Sequence, residues 1–197
     1  MRCRALIALA LVLAASALAA TTAHAGKAGD RDPVTDLIIR DCARDDDLDL
    51  RYPLRELRRA LDALPRHIRR TTRCERVLER AIGRALDRLD REIERIWMDC
   101  ERDDELDRDY SRAGLRRALR FLPDDLRMYT DCEAAIEDEL DRARERFRRE
   151  VDRILRDCER DRDLDRHYSL EALLRALRRS SGDRHCERAI ERELRDR

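Results

Sequence analysis

The strings Asp41-Cys42, Asp99-Cys100 and Asp157-Cys158 recur at a register of 58 residues both times, so the chain reads as three copies of one cysteine-framed unit. Repetition of this kind limits the fold to units that bury their apolar faces against neighbours, with modified copies capping the ends. Truncated relatives of the unit do flank the array. Pro33 to Cys42 resembles the end of a longer element, and Cys186, Ile190 and Leu194 resemble its start.

The longer element is a helix. After Cys74 the apolar residues fall at Leu78, Ile82, Ala85, Leu89, Ile93, Ile96 and Cys100, in steps of three and four. The same steps follow Cys132 through Ile136, Leu140, Ala143, Phe147, Val151, Ile154 and Cys158. Each stretch predicts an amphipathic helix of about 26 residues, or about 39 Å between its cysteines. Thr72 with Glu75, and Thr130 with Glu133, have the spacing of a capping box at the helix start. Pairs such as Asp87–Arg91, Asp138–Arg142 and Glu145–Arg149 place opposite charges four apart on the outer face. Each such pair stabilises by only about 0.2–0.5 kcal/mol, so they support the helix without fixing the fold.

A shorter helix is predicted between the long ones, marked by Leu57, Ala60 and Leu61, by Leu115, Ala118 and Leu119, and by Leu173, Ala176 and Leu177. Ser111 and Ser169 stand where its N-cap belongs, with Pro53 in the first copy. Leu64-Pro65 and Leu122-Pro123 end it, and the third copy has Ser180-Ser181 there.

The chain begins with Arg2 and Arg4, an apolar stretch from Ala5 to about Ala20, and Ala23-His24-Ala25, an A-x-A site suited to signal peptidase. Residues 1–25 are therefore read as a cleaved signal peptide, 26–32 as a flexible mature N-terminus and 33–197 as the helical repeat domain. Its corner units lie at about 41–74, 99–132 and 157–186. No second apolar run of spanning length follows, so no membrane span is expected after cleavage. Localisation is expected to be secreted or associated with the cell envelope.

Of the seven cysteines, Cys3 leaves with the signal, and six remain in an exported chain, which is the arithmetic of a disulfide framework. A bond from Cys74 to Cys100, or from Cys132 to Cys158, would have to span a whole long helix, whereas disulfide Cα atoms lie within about 7 Å. The simple remaining solution is Cys42–Cys74, Cys100–Cys132 and Cys158–Cys186. It closes each corner once and makes consecutive long helices antiparallel. The expected fold is all-α: a disulfide-stapled antiparallel helical repeat array with two long helices, short corner helices and half-helix end caps.

Charged residues make up 46% of the chain, with 45 basic and 45 acidic. Binding to nucleic acid needs a net basic face, and this balance argues against it. Lys27 is the one lysine, and Asn and Gln do not occur, a bias that matches high genomic GC content.

The recurring string is complete in the middle copy as Asp99-Cys100, Leu106-Asp107, Tyr110-Ser111, Leu122-Pro123 and Tyr129-Thr130-Asp131-Cys132. It resembles a repeat of exported proteins of high-GC Gram-positive bacteria, over nearly all of the mature chain. The first copy departs from it at Pro53 and Thr71, and the third lacks the Leu-Pro step. The resemblance implies export and a cysteine framework, and no activity.

Three chemistries compete with a purely structural reading. Asp41, Asp45 and Asp49 fall at places 1, 5 and 9 of a calcium loop, as do Asp99, Asp103 and Asp107, and Asp157, Asp161 and Asp165. Place 12 is Tyr52, Tyr110 or Tyr168 instead of glutamate, and place 6 is Asp46, Asp104 or Arg162 instead of glycine, so the match lacks two essentials. Zinc at His167, His185, Cys158 and Cys186 is disfavoured, because the matching places elsewhere hold Arg51, Asp109, Arg73 and Asp131 and oxidised cysteines do not coordinate. A hydrolase would need two neighbouring carboxylates with a raised pKa inside a pocket, and no catalytic residue or cofactor site is assigned.

Tyr52, Tyr110 and Tyr168 recur in a chain with only four tyrosines. They are expected to pack under the corners with the hydroxyl at the surface, the alternative being an exposed row for sugar or peptide binding. The function expected is that of a non-enzymatic binding or structural module, whose partner is an unknown protein or envelope component. A homo-oligomer stays open, and weak calcium binding by the acidic corners is the alternative.

Overall fold

The structure is a computed structural model that describes residues 32–161, 164 and 166–197. The signal peptide expected at residues 1–25 lies outside the described residues. No strand occurs among them.

Four helices carry the frame. They are α1 (Pro33–Asp45), α4 (Cys74–Asp103), α7 (Cys132–Asp161) and α9 (Arg184–Arg195). Three short helices, α2 (Leu54–Asp62), α5 (Arg112–Arg120) and α8 (Leu170–Arg179), turn the corners, and α3 (Arg66–Thr71) and α6 (Asp124–Tyr129) follow the first two. The long helices have 30 residues each and overrun their second cysteines by three. Pro65 and Pro123 do end the corner helices, but each is also the N-cap of a further turn of helix, α3 or α6, that sequence reading did not anticipate.

The expected apolar stripes face the core, with Ile82, Leu89 and Phe147 only partly buried. Leu78, Ile96, Ile136 and Ile154 are all fully buried, and Val77 and Ala81 join the stripe on α4. Disulfides link Cys42–Cys74, Cys100–Cys132 and Cys158–Cys186, with Cα atoms 5.6, 5.6 and 5.4 Å apart. Each ties the last turns of one frame helix to the first residues of the next.

Antiparallel succession puts the first and third corners at one end and the middle corner at the other, and the core divides accordingly. Ile93, Ile96, Leu115, Leu122 and Ile136 form a cluster at the middle corner. A larger cluster joins the first and third corners through Val34, Ile38, Leu57, Leu173, Leu174 and Ile190. There α8 packs on α1 as well as on α7 and α9. Arg178 of α8 seals that junction. It donates to Asp32 at 2.6 and 2.7 Å and to both oxygens of Glu56, one of them at 3.0 Å. Asp32, read as part of a flexible terminus, is thus tied down, and it also accepts from Thr35 Oγ1 at 2.9 Å.

Ser111 and Ser169 cap their helices, accepting from the amides of Gly114 and Ala172 at 2.9 and 3.3 Å. The capping boxes do not form. Thr72 Oγ1 donates to the Ile68 carbonyl and accepts from the Cys74 amide, while Glu75 pairs with Arg69 at 3.0 Å. Thr130 repeats this, and Glu133 faces Arg127 at 3.6 Å. Arg142, expected to pair with Asp138, reaches Glu139 at 2.9 Å, whereas Glu145 does face Arg149 at 3.8 Å.

Candidate functional site

The polar pattern that recurs at the corners resolves into a latch. Asp41, Asp99 and Asp157 lie one residue before the first cysteine of each corner and are only 8%, 3% and 8% exposed. The Tyr52 and Tyr110 hydroxyls donate to Asp41 and Asp99 at 3.1 and 2.8 Å, and Tyr168 donates to Asp157. In the first two corners the same Oδ2 atom accepts the amide of Asp49 or Asp107 at 3.2 Å, and Arg44 or Arg102 holds Oδ1 at 2.8 or 2.9 Å. Arg160 faces Asp157 at 3.5 Å. The tyrosine hydroxyls are therefore buried on a carboxylate, not placed at the surface, and the tyrosines form no exposed row. A phenol brought into the interior needs a partner for its hydroxyl, and the aspartate supplies it.

A second device fixes the corner helix. Glu92 of α4 accepts from the amide and the hydroxyl of Ser111 at 2.7 and 2.8 Å, and Glu150 of α7 does the same for Ser169 at 2.6 and 2.9 Å. In the first copy the matching places are Val34 and Pro53. Proline has no amide to donate, so carboxylate and serine are lost together.

In the first two copies the acidic side chains after the first cysteine are engaged within the corner itself, while Asp165 of the third lies outside the described residues. Asp46 and Asp104 close α1 and α4 with φ of 62° and 60°, the left-handed turn that place 6 of a calcium loop would need. Their carboxylates instead accept the amides of Arg73 and Asp131 at 2.6 and 3.0 Å. Asp41 faces inward, Asp45 accepts the Asp47 amide at 3.3 Å, and Asp49 pairs with Arg44 at 2.8 Å. Among the described residues, the one trio of ligand-type atoms within 4.8 Å of one another is Cys100, Asp104 and Cys132, and both of its sulfurs belong to a disulfide. Cys158 and Cys186, the sulfurs of the zinc reading, are likewise bonded to each other.

The first corner differs from the others in its surroundings. A cleft of about 230 Å³ opens there between α1 and α9, lined by Leu37, Leu50 and Leu194 together with the latch residues Asp41, Arg44 and Tyr52. Arginine occupies the places of Leu37 and Leu50 in both other copies, as Arg95 and Arg108 and as Arg153 and Arg166. The electrostatics follow. Burial pushes the Asp41 carboxyl up, and the neighbouring Asp49 charge adds to this against the Tyr52 hydrogen bond. At Asp99 burial also raises the pKa, but the bonds from Tyr110, Arg102 and the Asp107 amide outweigh it and the net shift is downward. Burial and the Asp99 carboxylate push Tyr110 up to about 12, and burial and Asp157 do the same to Tyr168, also to about 12. Tyr52 is raised further, by deeper burial and by the charges of both Asp41 and Asp49, against which Arg44 acts.

Asp41 and Asp49 are thus neighbouring carboxylates beside a cleft, one with a raised pKa, which is the condition set above for hydrolytic chemistry. Arg44 bridges the two, and the remaining oxygen of Asp41 is taken by Tyr52 and the Asp49 amide. The same bonds recur at Asp99, where the pKa falls, so the fold accounts for them.

Large apolar side chains at the surface concentrate at the middle corner. Met98, Phe121, Met128 and Tyr129 are 58%, 56%, 68% and 81% exposed, while the first copy holds Arg40, Ala63, Arg70 and Thr71 at the matching places. Beside them the Trp97 indole donates to the Ala118 carbonyl at 3.1 Å. No family model, curated protein or solved structure matches this chain. Three disulfides point to an oxidising compartment outside the cytoplasm, and no described helix is long and apolar enough to cross a membrane.

Proposed function

We propose that this protein is an exported, non-enzymatic module that presents a rigid helical surface to another protein or to the cell envelope, as a member of the Gram-positive repeat group it resembles. The observation that carries this reading is the latch. The aspartate and tyrosine that recur in every copy, Asp41 with Tyr52, Asp99 with Tyr110 and Asp157 with Tyr168, are spent on holding a stapled corner, with the hydrogen-bonding positions of Asp41 and Asp99 occupied by the fold itself. Side chains used in this way serve shape. The exposed apolar residues vary between copies and gather at the middle corner, which is where a surface would differ in what it recognises.

The test is a photoreactive residue at Met128 in protein displayed by its producing cell, with one at Arg70, the matching place in the first copy, as control. An envelope component captured at Met128 and absent at Arg70 is the expected result. Equal labelling at both places, or none, would refute the reading, as would substrate turnover by the purified protein. N-terminal sequencing of exported material is expected to begin at Gly26.

A further inference from the structure

We propose that the cleft between α1 and α9 binds a small amphiphilic carboxylate, with its apolar body on Leu37, Leu50 and Leu194 and its head between Arg40 and Arg195. This site is separate from the surface considered above, and either assignment can fail alone.

The apolar floor is specific to one copy. At Leu37 and Leu50 the chain has leucine where its own other two copies have arginine, and the two changes meet in one cleft. If those places only faced water, arginine would serve there as it does in Arg95, Arg108, Arg153 and Arg166. Leu194, 3% exposed, completes the floor from α9. Since α1 and α9 are the two end caps, the middle corner has no equivalent of this junction.

The rim is already arranged for a carboxylate. Glu191 sits between two guanidinium groups, 2.9 Å from Arg40 and 3.9 Å from Arg195. Both arginines are largely exposed, at 63% and 58%, so each has donor capacity facing the cleft mouth. A guanidinium binds a carboxylate through paired donors, and Glu191 acts as a resident occupant that an incoming acid would displace or share. Size sets the class of ligand. With about 30 Å³ for each water-sized group, the space accommodates about eight such groups, the scale of a short acyl chain or one amino-acid side chain with its carboxylate.

The two sources of this chemistry are a free short-chain acid and the C-terminal residue of a peptide. Calorimetric titration of the oxidised protein with propanoate, butanoate and hexanoate, and with N-acetyl-leucine, separates them by which binds more tightly. Among the acids, affinity is expected to rise about 4-fold for each methylene added. Leu37→Arg and, independently, Leu50→Arg restore the pattern of the other copies and should weaken binding at least tenfold with the fold intact. Glu191→Gln removes the resident charge and should tighten binding severalfold. No binding of any probe, affinity independent of chain length, or binding unchanged in both arginine variants would overturn the assignment.

Discussion

Tyr110 Oη lies 2.8 Å from Asp99 Oδ2, and the two residues stand 11 apart on opposite sides of a chain reversal. Removing the hydroxyl leaves a buried carboxylate short of one of its donors. Tyr110→Phe is expected to cost about 1–3 kcal/mol in urea unfolding, with the slope of the transition unchanged. Loss below about 0.5 kcal/mol would mean that Arg102 and the Asp107 amide hold the corner alone.

Opposite pKa shifts make Asp99 and Asp41 respond to acid in opposite directions. Asp99 has a folded-state pKa below its unfolded value. Its stabilisation is present above the unfolded pKa near 4 and is lost as pH falls through the folded one. The melting-temperature gap between wild type and Asp99→Asn should therefore shrink on acidification below about pH 4. For Asp41 the folded pKa is raised, so ionisation opposes folding, and the wild type should gain on Asp41→Asn as pH falls from neutral. Parallel pH series of thermal melts read both signs.

Reduction with dithiothreitol should loosen all three corners together. The bonds close loops with sequence separations of 32, 32 and 28 residues. On the chain-entropy model each contributes about 3–4 kcal/mol, and a domain has only about 5–15 kcal/mol in total. Circular dichroism is expected to show a large drop in melting temperature, and peptide mapping of the oxidised protein to return only Cys42–Cys74, Cys100–Cys132 and Cys158–Cys186.

Glu92 and Gly114 should be coupled. A Cβ built on Gly114 would lie 2.7 Å from Glu92 Cδ, whose carboxylate is pinned by Ser111. With Glu92 replaced by alanine, Gly114→Ala is expected to stabilise by about 0.5–1 kcal/mol, the ordinary helical gain. With Glu92 present the same change should give less or reverse in sign. A double-mutant cycle measures the difference, and a zero coupling term would refute the pinning.

Arg178→Ala should cost about 3 kcal/mol, because it removes both bonds donated to Glu56, which is 7% exposed and keeps only Arg59 at 3.6 Å. Chemical denaturation of this variant beside Arg178→Lys separates loss of charge from loss of the forked geometry.

What could be read from sequence was what repeats locally. Steps of three and four from Leu78 to Cys100 placed the helices and their buried faces, and the length of those helices restricted the cysteine pairings. The latch was not legible in this way. Asp99 and Tyr110 looked like an acidic loop and a packing aromatic, because their pairing depends on how tightly the chain reverses between them. The bonds of Glu92 to Ser111, 19 residues apart, and of Arg178 to Glu56, 122 apart, depend on which helices become neighbours. Nor could spacing alone show that Thr72 would turn to the Ile68 carbonyl and leave Glu75 to Arg69. The replacement of two arginines by Leu37 and Leu50 was visible in the aligned copies, but it acquired meaning only when α9 closed over them.

Sulfur bridges placed at the bends also decide how the molecule carries a mechanical load. Tension applied to the two ends would run along the frame helices and cross from one to the next through the disulfides, bypassing the corner segments. The phenols, which lie inside the closed loops, would be shielded from that pull for as long as the bridges hold, whereas the aspartates they bind stand just outside the loops on the loaded helices, so each pair couples a tensioned segment to a slack one.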